Sequence, residues 1–332
     1  MNLSATRKHL KSLGISQGLT SALIAQRALE RGIDIEPDRR GRLSFRARGK
    51  RVWFDGARSN LNSPLAKRCA LHKDVSSRLL RSYGINAPEN VVFGPDDVER
   101  AWHWAADELP VVIKPSDGGS GADVHLNITT RQAFYEAFAA VAVSTSNIMI
   151  ETFQAGVEHR ALLVHGKVVA VARRVPAHVV GDGESTVQEL VDAKNIARSV
   201  LENPVHYEIL LDEHTDKELA RQNLDLSSVP AEGQRAWLRA NSNIHTGGDA
   251  VDATDDLTDQ EREMAEKVAR AIPGLRLAGL DLLLPRDGQG TRACILEINS
   301  SPMLSGHYFP WEGEPRDPAG ALLDGLFPTA KP

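Results

Sequence analysis

Three groups of residues in this sequence have types and spacings that could do chemistry. The first is Lys114 and the segment after it, where Gly118, Gly119 and Gly121 surround Ser120. A strand that ends in lysine and enters a glycine-rich turn lets backbone N–H groups approach an anion closely, and the ammonium adds a point charge to the same anion. The G-x-x-x-x-G-K-[S/T] signature of a P-loop is absent, and a flexible surface turn would use the same residues. The second group is Asp281, Glu297 and Asn299. Glu297 and Asn299 are two apart, so on a strand both face one way. If the strands flanking residues 285–291 pair, Asp281 falls opposite the region of Glu297, and three oxygen donors converge on one face. Such donors suit Mg2+, which takes one or two carboxylates together with substrate phosphates. Solvated polar residues near a turn are the alternative. Against it, Leu280, Leu282, Leu284, Ile295 and Ile298 make both strands at least half buried, and a buried carboxylate needs a partner. The third group is Glu151-Thr152-Phe153-Gln154, followed by Glu158 and Arg160. A strand that stops at Glu151 exposes backbone groups able to read a purine edge, while Glu158 could accept from ribose hydroxyls. An ordinary strand-to-loop exit would look the same.

The elements that must position these residues follow from periodicity. Residues 18–31 predict a helix, and residues 43–48 and 51–54 predict a hairpin about Gly49-Lys50. Residues 60–64 read as a linker or as the start of the next element. Residues 69–83 predict one helix closed by Gly84, followed by a helix over about 95–107. Residues 111–114 and 148–150 predict strands on either side of a helix at about 130–142. Residues 160–164 and 167–173 predict a hairpin turning at His165-Gly166. Thr258-Asp259-Gln260-Glu261 is a capping box that opens a helix to about Ile272. Strands are predicted over 277–284 and 292–298 and a last helix over about 317–326, whereas residues 203–245 show no decisive period.

Composition bounds the function. The chain has 332 residues, 42% hydrophobic and 25% charged, a globular balance that suggests about two domains. Its net charge is −5 and aromatics are 5%, a poor match to a general nucleic-acid binder. Cys69 and Cys294 match no metal or redox spacing and read as small buried hydrophobes in a reducing cytoplasm. No apolar run approaches the roughly 18 residues of a membrane span, and no signal peptide is apparent.

Taken in order, several segments resemble the ATP-grasp superfamily of carboxylate–amine ligases, most closely the ATP-grasp part of cyanophycin synthetases and the glutathione-synthetase-like domain of bifunctional glutathione enzymes. The resemblance runs over about residues 63–328. It rests on His72-Lys73, Val112-Ile113-Lys114-Pro115 with its loop, Glu151 to Arg160, and residues 172–183. It continues with Leu238-Arg239-Ala240-Asn241-Ser242-Asn243, Thr246-Gly247-Gly248, Ala278-Gly279-Leu280-Asp281, Leu296-Glu297-Ile298-Asn299, and the tail from Pro310. The implied fold is α+β, with two α/β subdomains clasping ATP behind a short N-terminal segment. The expected boundaries are 1–68, 69–150 and 151–330. By the same resemblance, Lys73 and Lys114 hold phosphates, and Asp117, Gly118, Gly119, Ser120 and Gly121 close over them. Glu151, Thr152, Phe153 and Gln154 frame the adenine, Glu158 meets the ribose, and Asp281, Glu297 and Asn299 hold two Mg2+, for which Mn2+ can substitute. Arg174 falls where the family keeps a basic residue near the transferred phosphate, and Arg160 and Arg239 are candidates for substrate carboxylate or phosphate. A surface ion pair is the bland alternative for each arginine.

The implied reaction is amide formation through an acyl phosphate, with ADP and phosphate released, between an amino-acid or small-peptide carboxylate and an amine. A kinase on the same scaffold and a non-catalytic nucleotide-binding module are the competing readings. The family suggests a homodimer in the cytoplasm, with neither nucleic acid nor membrane as partner. The stretch before residue 63 is short for the N-terminal domain many such ligases carry, and no further ligase region follows before Pro332. One condensation is therefore expected rather than polymer elongation.

Overall fold

The structure, a computed structural model, describes residues 2–116, 123–200 and 205–328. They fall into two compact units. Unit 1 takes residues 1–171, 254–305 and 316–332, and unit 2 takes residues 172–253 and 306–315.

Unit 1 begins with helices Leu3–Ser12 and Leu19–Glu30 and a four-stranded antiparallel sheet that includes the hairpin Leu43–Ala47 and Lys50–Asp55. The first helix was not anticipated, because its mainly polar residues give it only Thr6 and Leu10 to bury. The C-terminal helix Pro318–Leu326 returns to this segment, with Arg31 paired to Asp324 at 2.8 Å and Phe327 edge-on to Phe45 at 5.5 Å between centroids.

The single helix expected over 69–83 is two helices, Pro64–Leu71 and Lys73–Ser82, broken at an extended His72. The apolar spacing runs through the break. The local signs of the earlier start are Ser63, whose side chain accepts from Ala66 N–H, and Pro64 at the first helical position. The break makes Lys73 the first residue of a helix.

A second sheet of unit 1 has the order Asn90–Phe93, Ile148–Thr152, Val111–Pro115, His125–Ile128, all antiparallel. Its inner residues Val111, Ile113, Ile148 and Ile150 pack with Phe134, Phe138 and Ala101 from helices Arg131–Ser144 and Val98–Ala105. The alternate residues, among them Lys114 and Glu151, therefore emerge on the other face.

The third sheet carries the hairpin Val157–Val164 and Lys167–Val175, whose turn residues His165 and Gly166 both have positive φ (49° and 81°), as a two-residue turn requires. Strand Leu277–Leu284 pairs antiparallel with Val157–Val164 on one side and with Cys294–Asn299 on the other. Ala278, Leu280, Leu282 and Leu284 are fully buried on one face. On the opposite face Glu158, Arg160, Asp281, Leu283, Glu297 and Asn299 are only partly covered. The Thr258–Glu261 capping box opens helix Asp259–Ala271.

Unit 2 contains the second half of the Lys167–Val175 strand, paired with Asp249–Asp252, and a two-stranded pair His178–Val180 with Arg235–Trp237. Helices Val187–Val200 and Glu213–Arg221 cover a core of Ala177, Val179, Val191, Ile209, Leu219 and Leu238. Helix Glu213–Arg221 falls in the stretch that periodicity could not assign; Asp212 caps it by accepting from the N–H groups of His214 and Thr215. At Gly248 an added Cβ would meet three carbonyl oxygens at 2.9–3.0 Å, which accounts for a glycine there.

Candidate active site

The open face of the third sheet in unit 1 holds the acidic residues. Arg160 lies directly across from Asp281, and Asp281 directly across from Glu297. Cross-strand partners in an antiparallel pair share a face, with Cβ atoms roughly 4.5–5.5 Å apart. Asn299, two residues beyond Glu297, rises from the same face opposite Gly279. The registry thus forms a row, Arg160–Asp281–Glu297, with Asn299 beside it.

Each carboxylate in the row faces a cation. Arg160 donates from Nε to Asp281 Oδ1 and from Nη2 to Asp281 Oδ2, the second bond at 2.8 Å, which makes a bidentate pair. Burial works against the Arg160 charge, but Asp281 first, then Glu158 and Glu297, raise its pKa above the ordinary arginine value. Lys73, on the first turn of its helix, brings Nζ to 3.4 Å from Glu297 Oε2. Gly279 makes room for this arrangement: a Cβ there would stand 3.1 Å from both Arg160 Cδ and Pro302 Cβ.

Lys114 and Glu151 form a second, more enclosed pair. Glu151 pairs in register with Val112, so Lys114 is its diagonal neighbour on the same face. Their side chains are 11% and 5% exposed, and the ammonium donates to Glu151 Oε1. Cys294 links this pair to the acidic row. Burial, and then the charge of Glu151, push the Cys294 thiol up to about 12. Cys294 begins the strand that carries Glu297 and Asn299, so Glu151 acts electrostatically on the start of that strand. Asn86 fastens the same point, its carbonyl accepting from Ile295 N–H and its amide donating to the Ala293 carbonyl, both at 2.9 Å.

The Glu151 strand continues through Thr152 rather than stopping at Glu151. Thr152 N–H donates to the Glu89 carbonyl and Phe153 N–H to the Pro110 carbonyl, at 2.9 and 3.0 Å. The side chain of Gln154 donates to Thr152 Oγ1 at 3.2 Å. Those two backbone donors are therefore already engaged. Glu158 stands two residues from Arg160 on the open face. The expected phosphate-covering residues Asp117, Gly118, Gly119, Ser120 and Gly121 lie outside the described residues.

The other two expected arginines belong to unit 2. Arg174 pairs in register with Ala250 and is partly exposed. Arg239 is buried, and its guanidinium donates to Thr215 Oγ1, to the Leu238 carbonyl at 3.1 Å, and to the Leu210 carbonyl and Asp212 Oδ2, both at 2.9 Å.

Sequence reading missed two arrangements. Asn62, in the apparent linker, is buried. Its amide donates to the carbonyls of Leu277 and Ser300, and its oxygen accepts from the N–H groups of Arg276 and Leu277. It clamps the start of the Asp281 strand to the residue after Asn299. In unit 2, Asp249 is 1% exposed and accepts from Lys194 at 2.7 Å and Arg198 at 2.6 Å, with His178 and His206 just beyond hydrogen-bond range. Burial lowers the pKa of Lys194 and Arg198, and Asp249 opposes that shift. No local motif announces either arrangement, since both join residues distant in sequence.

The donor set fits a hard divalent cation: two opposed carboxylates and an amide oxygen on one face, with the Asp281 carboxylate drawn into a charge-assisted pair. Among the described residues no three His, Cys, Asp or Glu side chains cluster as a metal site, and the oxygen donor beside the two carboxylates is the Asn299 amide. Asn299 Oδ1 also accepts from Ser301 N–H at 2.8 Å, which fixes its orientation. Among the described residues, no helix is long and apolar enough to cross a membrane.

A RimK-like ATP-grasp domain matches residues 226–309. A cyanophycin synthetase from Nostoc sp. is 38% identical over 266 residues, 78% of this chain and 29% of the relative. A glutathione biosynthesis bifunctional protein from Clostridium perfringens is 30% identical over 321 residues, 93% of this chain and 41% of the relative. The crystal structure of a bifunctional glutathione synthetase from Pasteurella multocida superposes with a TM-score of 0.72 at 27% identity, covering 98% of this chain and 44% of that one. The chain has the ATP-grasp fold of these relatives. It spans less than half the length of each of these relatives.

Proposed function

We propose that this chain is an ATP-dependent carboxylate–amine ligase. A substrate carboxylate attacks the γ-phosphorus of ATP, ADP leaves, and an acyl phosphate results. An amine then attacks the acyl carbon, the C–O bond to phosphate breaks, inorganic phosphate leaves, and the amine proton passes to solvent. The observation that carries the reading is the Arg160–Asp281–Glu297 row with Asn299 beside it and Lys73 at one end.

In this reading Lys73 and Lys114 bind the phosphates. Glu151 to Gln154 frame the adenine, using groups other than the engaged N–H donors of Thr152 and Phe153. Glu158 accepts from the ribose. Asp281, Glu297 and Asn299 hold Mg2+, two ions by family likeness, with Mn2+ as a substitute. The metal supplies positive charge that offsets the phosphates during transfer. The work of the chain is positioning, charge stabilisation and exclusion of water from a hydrolysable intermediate. Arg174 is assigned to the transferred phosphate. Arg160 and Arg239 are assigned to substrate carboxylate or phosphate; for Arg239, the anion must displace Asp212, its half-exposed acceptor. The substrates are an amino acid or short peptide and an amine. A homodimer and a cytoplasmic setting complete the proposal, as does a layout of residues 1–68 before subdomains 69–150 and 151–330. Two of the relatives are named a cyanophycin synthetase and a bifunctional glutathione synthetase, which supports a ligase over a kinase or a silent nucleotide binder.

The test is release of ADP and free phosphate on adding ATP, amino acids or dipeptides and an amine acceptor, with the product read by mass. A ligase gives ADP, phosphate and an amide in equal amounts. A phosphorylated product without free phosphate would indicate a kinase instead. Glu297→Gln should reduce turnover by on the order of a hundredfold or more, and undiminished turnover would remove Glu297 from the metal site.

A further inference from the structure

Arg160 holds both oxygens of Asp281, the carboxylate assigned above to metal binding. We propose that Arg160 is a built-in competitor of the divalent cation at Asp281: its guanidinium must let go of at least one oxygen before the metal is fully bound, and release turns it toward the incoming substrate anion. The inference rests on the metal reading of Asp281 and adds a residue that sets the affinity and order of binding.

The geometry favours competition over support. A residue that merely orients a metal ligand engages one oxygen and leaves the other to the metal. Here the fork takes both, in the bidentate geometry that is strongest for arginine and carboxylate. The pair is also shielded from water, with Arg160 22% and Asp281 14% exposed on their side chains, so the attraction is screened less than at the surface. Arg160 has somewhere to go. It lies on the open face of its strand with Glu158 two residues away, and Gly279 leaves the space along its aliphatic stem free of a side chain. Glu297 is matched differently, by one lysine at 3.4 Å, a looser contact that yields to a metal more readily. The row is thus asymmetric: Glu297 is available to the first cation, whereas Asp281 becomes available as Arg160 departs. Coupling follows, because a substrate anion that draws Arg160 away raises metal affinity, and by linkage bound metal raises affinity for the anion by the same factor.

Binding of Mn2+ alone, measured at pH 8 from the free-ion resonance signal, tests this without reference to turnover. Removing a bidentate charge-assisted partner should tighten Mn2+ binding about tenfold in Arg160→Gln, with Arg160→Lys between it and the parent because it keeps the charge and loses the fork. Asp281→Asn should abolish that gain in combination with Arg160→Gln. Unchanged or weaker binding in both Arg160 variants, each with the parent's circular dichroism, would overturn the inference, since a supporting residue behaves in that way. If Glu297→Gln binds Mn2+ as well as the parent does, the metal reading itself fails. If Glu297→Gln loses the ion and the Arg160 variants do not gain it, only the competition fails.

Discussion

The Lys114–Glu151 pair allows a stability prediction worked from burial. Both charges are nearly sealed, at 11% and 5% side-chain exposure, on the face of the sheet opposite the Phe134 core. Glu151→Gln leaves the ammonium without its counter-charge, and Lys114→Met leaves the carboxylate without its own. Stranding one member of a buried pair costs about 3–5 kcal/mol, whereas replacing both by uncharged side chains of similar size is often nearly neutral. The double variant should therefore lose under about 2 kcal/mol, far less than the sum of the singles, which implies a coupling of several kcal/mol. Urea unfolding gives the three free energies, and hydrogen exchange at the amides of the Val111–Pro115 and Ile148–Thr152 strands locates the loss. Single-variant losses that simply add in the double variant, within about 0.5 kcal/mol, would refute the reasoning. The reporter on the other side is Cys294: with the Glu151 charge removed its thiol should move down from about 12, yet stay above an ordinary thiol, because burial is the larger cause.

Two further outcomes follow from unit 2 and from the buried histidines. Asp249→Asn leaves Lys194 and Arg198 facing each other without the carboxylate that holds them; a loss of about 3–5 kcal/mol is expected, seen as faster hydrogen exchange in helix Val187–Val200, and parent-like protection there would count against it. Burial lowers the pKa of His165, His178 and His206 below the usual histidine value. The unfolded chain then binds more protons than the folded one below about pH 6.5, so this stabilisation is complete above that pH and is lost as the pH falls through the folded-state values. The urea midpoint should be level from pH 8 to 7 and fall between about 6.5 and 5. The lowered carboxylates Asp38 and Asp182, near 2, act only in more acid solution, and a midpoint that rises toward pH 5 would contradict the sign.

How far the site was legible in the sequence depends on the range of each signal. The alternation of Leu280, Leu282 and Leu284 with Asp281, and of Ile298 with Glu297 and Asn299, states locally which side chains share a face. The turn between the strands restricts their pairing, so the opposition of Asp281 and Glu297 was within reach. Arg160 was visible as a residue but not as the partner of Asp281, because that depends on how a strand more than a hundred residues away is added to the sheet. The break at His72 was hidden for a different reason: continuous apolar spacing outweighed the cap signal of Ser63-Pro64. Asn62 resembled a linker residue because linkers and clamps use the same polar types. Its role comes from burial against the Leu277 backbone, which composition does not encode.

The charges on the open face also bear on the proposed binding of a polyphosphate. Across its width the order is Arg160, Asp281, Glu297, Lys73: positive, negative, negative, positive. Two adjacent carboxylates on a partly dry face would repel by an amount that grows as water is excluded, and a cation at each flank removes that cost during folding. A nucleotide carrying about four negative charges with two divalent cations brings no net charge of its own, so the face can exchange partners without a change in total charge. On the proposed reading the flanking cations pass to the phosphates and the substrate anion, and the central carboxylates pass to the metal. On that reading, folding and binding draw on the same four side chains; backbone registry orders Arg160, Asp281 and Glu297 across three strands, and the first turn of a helix adds Lys73.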